Sequence, residues 1–554
     1  MATEKLKIIP LGGLNEVGKN LTVYEYGNDI LVVDCGLGFP DGEMYGVDVV
    51  IPDVTYLVKN AEKIRGIVLT HGHEDHIGAI PYVLKDISAP IYGTPLTLAL
   101  VRYKLEEHRL LDIADLREFR ARDRFSIGCF EVEAIHVNHS IACSVALAIK
   151  TPVGMVIHTG DYKIDTTPIN CSMMDLTRLG ELGKEGVLAL LSDSTNAERK
   201  GFSPSERTVG DALDGLFDNC PRRIIITTFA SNVYRVQQII TLAAKNGRKV
   251  AITGRSMENM VAASVELGYM TIPQDALVDI NKIKNFPREQ QLIITTGSQG
   301  ESMSALYRMA FGGHKQVEIG PDDRVILSSS TVPGNEKTVS RIINELYRRG
   351  ADVLYRDVMG GLHVSGHACQ EELKMVLALT QPKFFIPIHG EQRHLRSHAK
   401  IAAEVGVEPS HILIGDIGKV MELGKKSIHI SGTVQAGRVL VDGTGIGDVG
   451  SVVLRDRKHL AEDGMLVVAM TLSREDNSLI SGPDIITRGF VYVRESEDLI
   501  DDMRMQVIDT LDACQENDIR NWTAIKSTVK ASLSSYLQKK IKRSPMILPI
   551  IMEN

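Results

Sequence analysis

The stretch LTHGHEDHIGAI at residues 69–80 places three histidines and two acids within the six positions 71–76, between a strand-like apolar run (Gly66, Ile67, Val68, Leu69) and the apolar start of a helix. His71 and His73 alternate by two, so on extended backbone both imidazoles face one way. Asp75 and His76 fall where the helix begins and turn toward a second point. Neutral imidazole and carboxylate are the side chains zinc prefers at neutral pH; Glu74 points between the two sets and is a poorer ligand. A cluster of this kind binds metal only if the fold carries further ligands to it, and that demand limits the possible folds more than any other feature of the chain.

Three later segments meet it. EAIHVNHSIA (133–142) offers His139 after one strand, VIHTGDYKID (156–165) offers Asp161 after another, and FFIPIHGE (384–391) offers His389 after a third. His71, His73, His139 and Asp161 are assigned to one ion, and Asp75, His76, Asp161 and His389 to a second. A carboxylate shared between two ions is what a two-metal hydrolase needs. Asp161 and His389 lie 228 positions apart, far more than a compact sandwich requires, so a whole domain is expected between them.

The first 200 or so residues alternate apolar runs with Gly/Asp/Ser turns (LTVYEYG, DILVVDCG, GIVLTHG, PIYGTP, VGMVIHTGD) and helices such as 95–110, as strands of a sandwich would. From about 205 the apolar runs end in small polar residues: IIITTFASN (224–232), VAITGRSMEN (250–259), LIITTGSQGE (292–301) and VILSSSTVPGN (325–335). Continuous apolar strands alternating with helices predict a parallel sheet covered on both faces. Ligands bind at the carboxyl ends of such strands, where backbone N–H groups suit an anion such as phosphate. VLVDGTGIGDVG near 440 opens a third region, with strands MLVVAMTLS and GFVYVRES, helical stretches at 497–513 and 522–540, and the closing PMILPIIMEN. A chain of 554 residues is too long for one ordinary domain. The expected division is 1–204, an inserted domain at 205–355, a return to the first domain at 356–430, a linker at 431–444 and a small α+β domain at 445–554.

Composition narrows the setting. With 44% apolar and 24% charged residues the chain reads as a soluble globular protein. No apolar run approaches the roughly 20 residues of a membrane span, and MATEKLKIIPLGG lacks the layout of a signal peptide. The seven cysteines are scattered and never spaced CxxC, which points to a reducing compartment and against a cysteine zinc site. The expectation is a cytoplasmic protein with no membrane partner. The net charge of −8 coexists with three basic clusters (Arg393, Arg396, Lys400; Arg455, Arg457, Lys458; Lys539, Lys540, Lys542, Arg543), so charge leaves the partner open.

The ordered ligand set resembles the metallo-β-lactamase superfamily, which implies an αββα sandwich with a dinuclear site at one rim. The insertion resembles that of the β-CASP nucleases: LLSDSTN (190–196) fits their acidic motif at Asp193, and HVSGH (363–367) their histidine motif. GGLNEVGKN (12–20), IPDVTYLVKN (51–60), KEGVLALLSDSTN (184–196), TFASN (228–232), GSQGE (297–301), PKFFIPIHGE (382–391), GIGDVGSVVLRDR (445–457), GPDIITRGFVYVRES (482–496) and RSPMILPIIME (543–553) all resemble the bacterial ribonuclease J family, over essentially the whole chain. The family commonly has Pro-Asp where this chain has Ile141, Ala142 and Cys143, and a glycine where it has Asn15. Its HGHEDH is intact, unlike that of degenerate relatives that act as partners of an active paralogue.

The resemblance implies an α/β multi-domain, zinc-dependent ribonuclease. It would act 5′→3′ on single-stranded RNA with a 5′ monophosphate, and as an endonuclease, in rRNA processing and mRNA decay, by two-metal hydroxide attack on the phosphodiester. Two Zn2+ per subunit are expected, with Mn2+ or Mg2+ as substitutes. Asp75 would orient the attacking hydroxide, and His367 would contact the scissile phosphate and aid departure of the 3′ oxygen. Asp193 and Glu74 would fix the ligand histidines from behind. Ala230, Ser231, Asn232, His363, Val364, Ser365, Gly366 and His367 match substrate-binding stretches. Gly46, Asp48 and Asp442 match residues that hold a structural Ca2+ in some relatives. A homodimer or homotetramer, with paralogue or RNA-decay partners, follows from the same resemblance. Two rivals stay open: a hydrolase of another substrate (a thioester, a lactam or a DNA end), and an RNA-binding scaffold with little activity of its own.

Overall fold

The computed structural model describes residues 5–332, 334–491 and 496–553. The opening MATE, Pro333 of VILSSSTVPGN, the YVRE of GFVYVRES and the final Asn554 lie outside the described residues. The chain forms two compact units, residues 1–39 with 49–439 and residues 40–48 with 440–554.

In the larger unit, Leu6–Gly12, Leu21–Tyr26 and Asp29–Val33 make an antiparallel meander. It grows into an eight-stranded sheet through the parallel strands Ile64–Val68, Ile91–Gly93 and Leu116–Glu118 on one side and Lys419–Leu423 and Ile428–Thr433 on the other. A second sheet runs Phe384–Ile388, Val187–Asp193, Gly154–His158, Val145–Thr151, Phe130–His136 and Arg124–Ile127, in that order, and its first three strands are parallel. The strand Val187–Asp193 shows why its sequence is apolar without a break. Ala189 and Leu191 face the inter-sheet core with Ile8, Tyr24, Val68 and Leu147, while Leu190 faces outward onto Leu179, Val376 and Ile401 of the covering helices Leu176–Glu185, Gln370–Thr380 and Gln392–Val405. The expected αββα sandwich is the observed architecture.

The insertion is a five-stranded, wholly parallel sheet in the order Lys249–Thr253, Gln291–Thr295, Arg223–Thr227, Asp323–Leu327, Asp352–Leu354. Its strands are buried on both faces. Ile224, Ile226, Leu292 and Ile294 pack with the helices Arg207–Phe217, Val233–Lys245 and Arg255–Glu266, and Ile225, Ile293 and Val325 with Ala305–Ala310 and Glu336–Arg348. Each such side chain contributes about 1.5–3 kcal/mol on burial. Ile141 and Ala142, where the sequence departs from the family pattern, are buried in the first of these cores beside Leu96. They therefore join the loop after His139 to the inserted layer.

In the smaller unit, Met465–Leu472 pairs antiparallel with Leu479–Arg488 and parallel with Met546–Glu553. Helices Glu497–Glu516 and Trp522–Ile541, close to the expected bounds, cover one face through Met503, Val507, Val529 and Leu533 on Leu466, Val468 and Met470. Ile480, Ile486, Leu548 and Ile550, on the strands of this sheet, are exposed. Of the strand expected at GFVYVRES, Gly489–Val491 are not strand and Gly489 takes a left-handed φ of 66°, while YVRE lies outside the described residues; the described hairpin pairing reaches Arg488. The helix Ser451–Asp463, which the sequence pattern did not announce, has no fully buried side chain, so its apolar stripe is faint. No helix among the described residues is long and apolar enough to cross a membrane.

Candidate active site

The parallel neighbours Gly154–His158, Val187–Asp193 and Phe384–Ile388 end on one rim of the sandwich, so Asp161, Asp193 and His389 emerge beside one another. Ile64–Val68 of the other sheet delivers His71 and His73, and the short helix Glu74–Ile77 brings in Asp75 and His76. Gly36 lets that helix close down: a Cβ there would stand 1.6 Å from the Asp75 carbonyl oxygen.

The predicted residues converge in the predicted groups. His71, His73, His139 and Asp161 place one ligand atom each within 4.8 Å of one another, and so do Asp75, His76, Asp161 and His389. A third group of the same kind, Asp161, Asp193, His367 and His389, shares two members with the second. Asp161 Oδ2 lies 3.6 Å from His71 Nε2, 3.3 Å from His76 Nε2 and 3.7 Å from His139 Nε2, while Oδ1 lies 3.8 Å from His389 Nε2.

Each ring is turned by what stands behind it. His139 Nδ1 lies 2.7 Å from the Gly366 carbonyl and His76 Nδ1 2.7 Å from Asp34. His71 Nδ1 meets Thr70 Oγ1 at 3.0 Å and His389 Nδ1 meets Thr195 Oγ1 at 2.6 Å. Both hydroxyls donate onward to carboxylates, Thr70 to Asp34 and Thr195 to Asp193, and so accept from the imidazoles. The proton is thus held on Nδ1 in all four rings, and the Nε2 atoms face inward, where a neutral ring presents a lone pair. Inside, His73 Nδ1 stands 3.1 Å from both His71 Nε2 and His139 Nε2, and the buried Asp161 Oδ1 has no hydrogen-bond partner. Facing lone pairs around an orphaned carboxylate oxygen are a donor set made for cations, so the residues fit a divalent pair.

Charge follows the same division. Burial, then repulsion among neighbouring histidines, holds His71 below the ordinary histidine value. Burial likewise lowers His73 to about 4 and His139 to about 3. Burial also opposes charge on His76 and His389, yet Asp161 and its neighbouring carboxylates outweigh it and raise both. Burial favours the neutral acid at Asp75 and Asp161; the adjacent histidines, His76 for Asp75 and His389 for Asp161, reverse that and hold both carboxyls low.

The remaining predicted residues take different places. His367 Nδ1 is 2.8 Å from Asp193 Oδ2, and its ring stacks on His389 at 5.7 Å between centroids. Asp193 also accepts from the Thr195 backbone at 2.9 Å. Glu74, expected behind the ligand histidines, instead points to the surface and pairs with Lys104 at 2.5 Å. Ser365 Oγ accepts from Asn196 at 2.8 Å, and Val364 is buried in the insertion core. Gly366 works on a ligand ring, because a Cβ there would come within 2.8 Å of the His139 imidazole. Ala230 and Ser231 lie on the loop after Arg223–Thr227; Asn232 caps the next helix, accepting from the Arg235 backbone at 3.1 Å. His363 meets Arg235 and Ser330. In the smaller unit, Asp48 accepts from the Gly443 backbone at 2.7 Å and Asp442 pairs with Arg457, whose guanidinium also donates to the Tyr45 carbonyl at 2.9 Å.

Sequence reasoning missed Asp34, Thr70, Thr195 and Arg235. Asp34 alone left a trace: it follows the strand in DILVVDCG, a strand-end acid like Asp161.

Known proteins share this organisation. The sequence family described as Metallo-beta-lactamase superfamily matches residues 14–163, Ribonuclease J, beta-CASP domain matches 221–346, Zn-dependent metallo-hydrolase RNA specificity domain matches 357–412, and Ribonuclease J C-terminal domain matches 452–554. Ribonuclease J2 of Bacillus subtilis (strain 168) is 43% identical over 551 residues, spanning 100% of this chain and 99% of its own. The chain belongs to the ribonuclease J family. Ribonuclease J of Thermus thermophilus is 43% identical over 99% of this chain and 96% of its own, and that of Synechocystis 44% identical over 99% and 86%. A crystal structure of a protein of unknown function from Enterococcus faecalis V583 superposes with a TM-score of 0.54 at 15% identity, over 76% of this chain and 100% of its own, a likeness of fold alone. Membership of the ribonuclease J family makes the chain a metal-dependent ribonuclease that binds RNA.

Proposed function

We propose that this ribonuclease J family member removes nucleotides 5′→3′ from RNA carrying a 5′ monophosphate, also cleaves internally, and serves RNA maturation and decay in the cytoplasm. The observation that carries this reading is the shared Asp161 carboxylate, flanked by two complete ligand groups at the foot of the inserted layer. We assign two zinc ions to them, His71, His73, His139 and Asp161 for one and Asp75, His76, Asp161 and His389 for the other. When bound, such a pair supplies an activated water and offsets charge on the phosphodiester.

The chain's own residues do the rest. Asp75 Oδ2, held 3.2 Å from His389 Nε2, orients the nucleophile. Asp193 accepts a hydrogen bond from Nδ1–H of His367 and keeps the proton there, so Nε2–H of the protonated ring is the group that passes a proton to the departing 3′ oxygen. Burial alone would keep His367 neutral, but the Asp193 charge outweighs it and raises its pKa, so a proton is available there. Ala230, Ser231, Asn232 and His363–His367 form the substrate-binding rim, with Val364 contributing backbone only. The proposed domain limits are 1–204 with 356–430, 205–355 and 445–554. A calcium ion at Gly46, Asp48 and Asp442 would have to displace the Arg457 guanidinium, which supplies a cation there already.

The exposed apolar side chains Ile480, Ile486, Leu548 and Ile550 support self-association into a homodimer or homotetramer. Ile550→Asp should then lower the mass measured by light scattering, and an unchanged mass would remove this sheet from the interface.

The deciding assay uses internally labelled RNA with a 5′ monophosphate or triphosphate, zinc or manganese, and wild type beside His76→Ala. Mononucleotides released only by wild type, and faster from the monophosphate, are expected. No cleavage by the metal-loaded wild type would leave an RNA-binding subunit that depends on a partner for catalysis.

A further inference from the structure

Outside the ligand cluster, the insertion buries an arginine whose hydrogen bonds decide the chemistry of a neighbouring histidine. Arg235, in the first turn of Val233–Lys245, is fully buried. Its Nε and Nη2 clasp both oxygens of Glu206 at 2.8 and 2.9 Å. Nη1 donates to the Ser328 carbonyl at 2.7 Å and reaches His363 Nδ1 at 2.9 Å.

A guanidinium has only donors and keeps its charge in proteins. The nitrogen facing it must therefore present a lone pair, and a neutral imidazole with a bare Nδ1 carries its proton on Nε2. That Nε2 lies 3.2 Å from Ser330 Oγ. Flipping the ring would set a C–H against Arg235 and forfeit the bond. Protonating the ring fully would put an N–H against an N–H. Burial first, then the positive charges of Arg235, Arg356, Arg199 and Lys163, push the His363 pKa down to about 2, in keeping with a ring that stays neutral. Glu206 balances the charge of Arg235, so the pair orders the histidine without making it a cationic site.

We propose that Arg235 is a positioning residue that locks His363 as the Nε2–H tautomer, whose one N–H rests on Ser330 Oγ in this structure and turns to the RNA substrate as a neutral, directional hydrogen-bond donor. This rests on the reading of His363 as a substrate-binding residue, and the two can fail separately.

The first test uses wild-type protein labelled with 15N at histidine, with the His363 ring signals identified by their loss in His363→Gln. Long-range proton–nitrogen correlations at neutral pH should show a protonated Nε2 and a bare Nδ1. A protonated Nδ1, or averaged tautomers, would overturn the proposal. The second test is kinetic. Gln places an amide N–H near the position of Nε2, and Asn places one near Nδ1. His363→Gln should hold KM for 5′-monophosphate RNA within about threefold, whereas His363→Asn should raise it about tenfold or more. Equal losses in both would overturn the donor role. Arg235→Lys should mix the tautomers and raise KM with kcat retained. Should that variant not fold, the wild-type spectrum and the paired His363 variants decide alone. A locked tautomer combined with unaltered KM in both His363 variants would overturn the substrate-donor half, and with it the assignment of His363 to the substrate rim. A wild type with no preference for the monophosphate would sink the proposed 5′-end reading while the spectrum still judged the lock.

Discussion

At the scale of single residues, the site depends on groups that never face the substrate. Asp34 orients His76 and, through Thr70, His71, while itself sitting in the left-handed region at a φ of 62°. His389 shares that strained backbone at a φ of 54°, a conformation that costs about 1–2 kcal/mol for a non-glycine residue. Asp34→Ala should weaken metal binding about 10–100-fold, read by titrating zinc into metal-free protein. Glu74→Ala, between His73 and Asp75 in the chain but committed to Lys104 at the surface, should leave turnover and zinc affinity unchanged; loss of either would restore it to the site. HGHEDH and the strand-end residues that converge with it were legible because a metal site restricts residue type and spacing together. Thr195 and Arg235 were not, and Asp34 only as a strand-end acid, because their side chains are ordinary and their roles come from partners far along the chain: 42 positions for Asp34 with His76, and 194 for Thr195 with His389. Glu74 was misplaced for the converse reason, since proximity in sequence put it near the ligands while the helix turned it outward.

At the scale of elements, the inserted sheet was readable from its unbroken apolar strands, since only a sheet covered on both faces buries Ile224 and Ile225 in opposite directions. What the strands did not disclose is how the insertion is fastened. Ile141 lies in the core of the insertion although it belongs to the loop that carries His139. Ile141→Ala should cost about 2–5 kcal/mol, seen as a lower first transition on thermal melting, and a shift no larger than for a surface substitution would show that the loop is not fastened there. A second tie is Asp165, which accepts from the Thr167 and Glu206 backbones at 3.0 Å each and pairs with Lys163 at 3.4 Å. Burial would raise its pKa, but these donors outweigh it and the carboxyl is lowered. A carboxyl that is more acidic folded than unfolded stabilises the protein above the unfolded value of about 3.9. That contribution is lost as pH falls through this value toward the folded one. Asp165→Asn should therefore flatten that part of the acid denaturation curve, and an unaltered acid limb would dismiss the tie. Leu479–Arg488 shows the limit of pattern reading: aromatic and β-branched residues mark strand propensity, but the hairpin partner of Met465–Leu472 is chosen by pairing, which among the described residues reaches Arg488.

At the scale of the whole molecule, metal and fold are linked. Without cations, three lone pairs converge at His73 and Asp161 keeps an unpartnered buried oxygen, so chelation should abolish cleavage and also lower the melting temperature of the larger unit. Re-adding zinc should restore both, the activity with site occupancy and the stability with the logarithm of zinc over its dissociation constant. Loss of activity with an unmoved melting curve would mean that the ligands are held by the scaffold regardless of the ion.

The chain order of the strands has a further consequence. Leu6–Gly12, near the start of the chain, lies between Leu21–Tyr26 and Lys419–Leu423, and His389 follows a strand that pairs with Val187–Asp193. While the chain is being synthesised, the early segments wait with an open edge, and the second ligand group lacks His389 until translation has passed it. A protein that cuts RNA thus cannot complete its second ligand group until its own message has been read past the codon for His389.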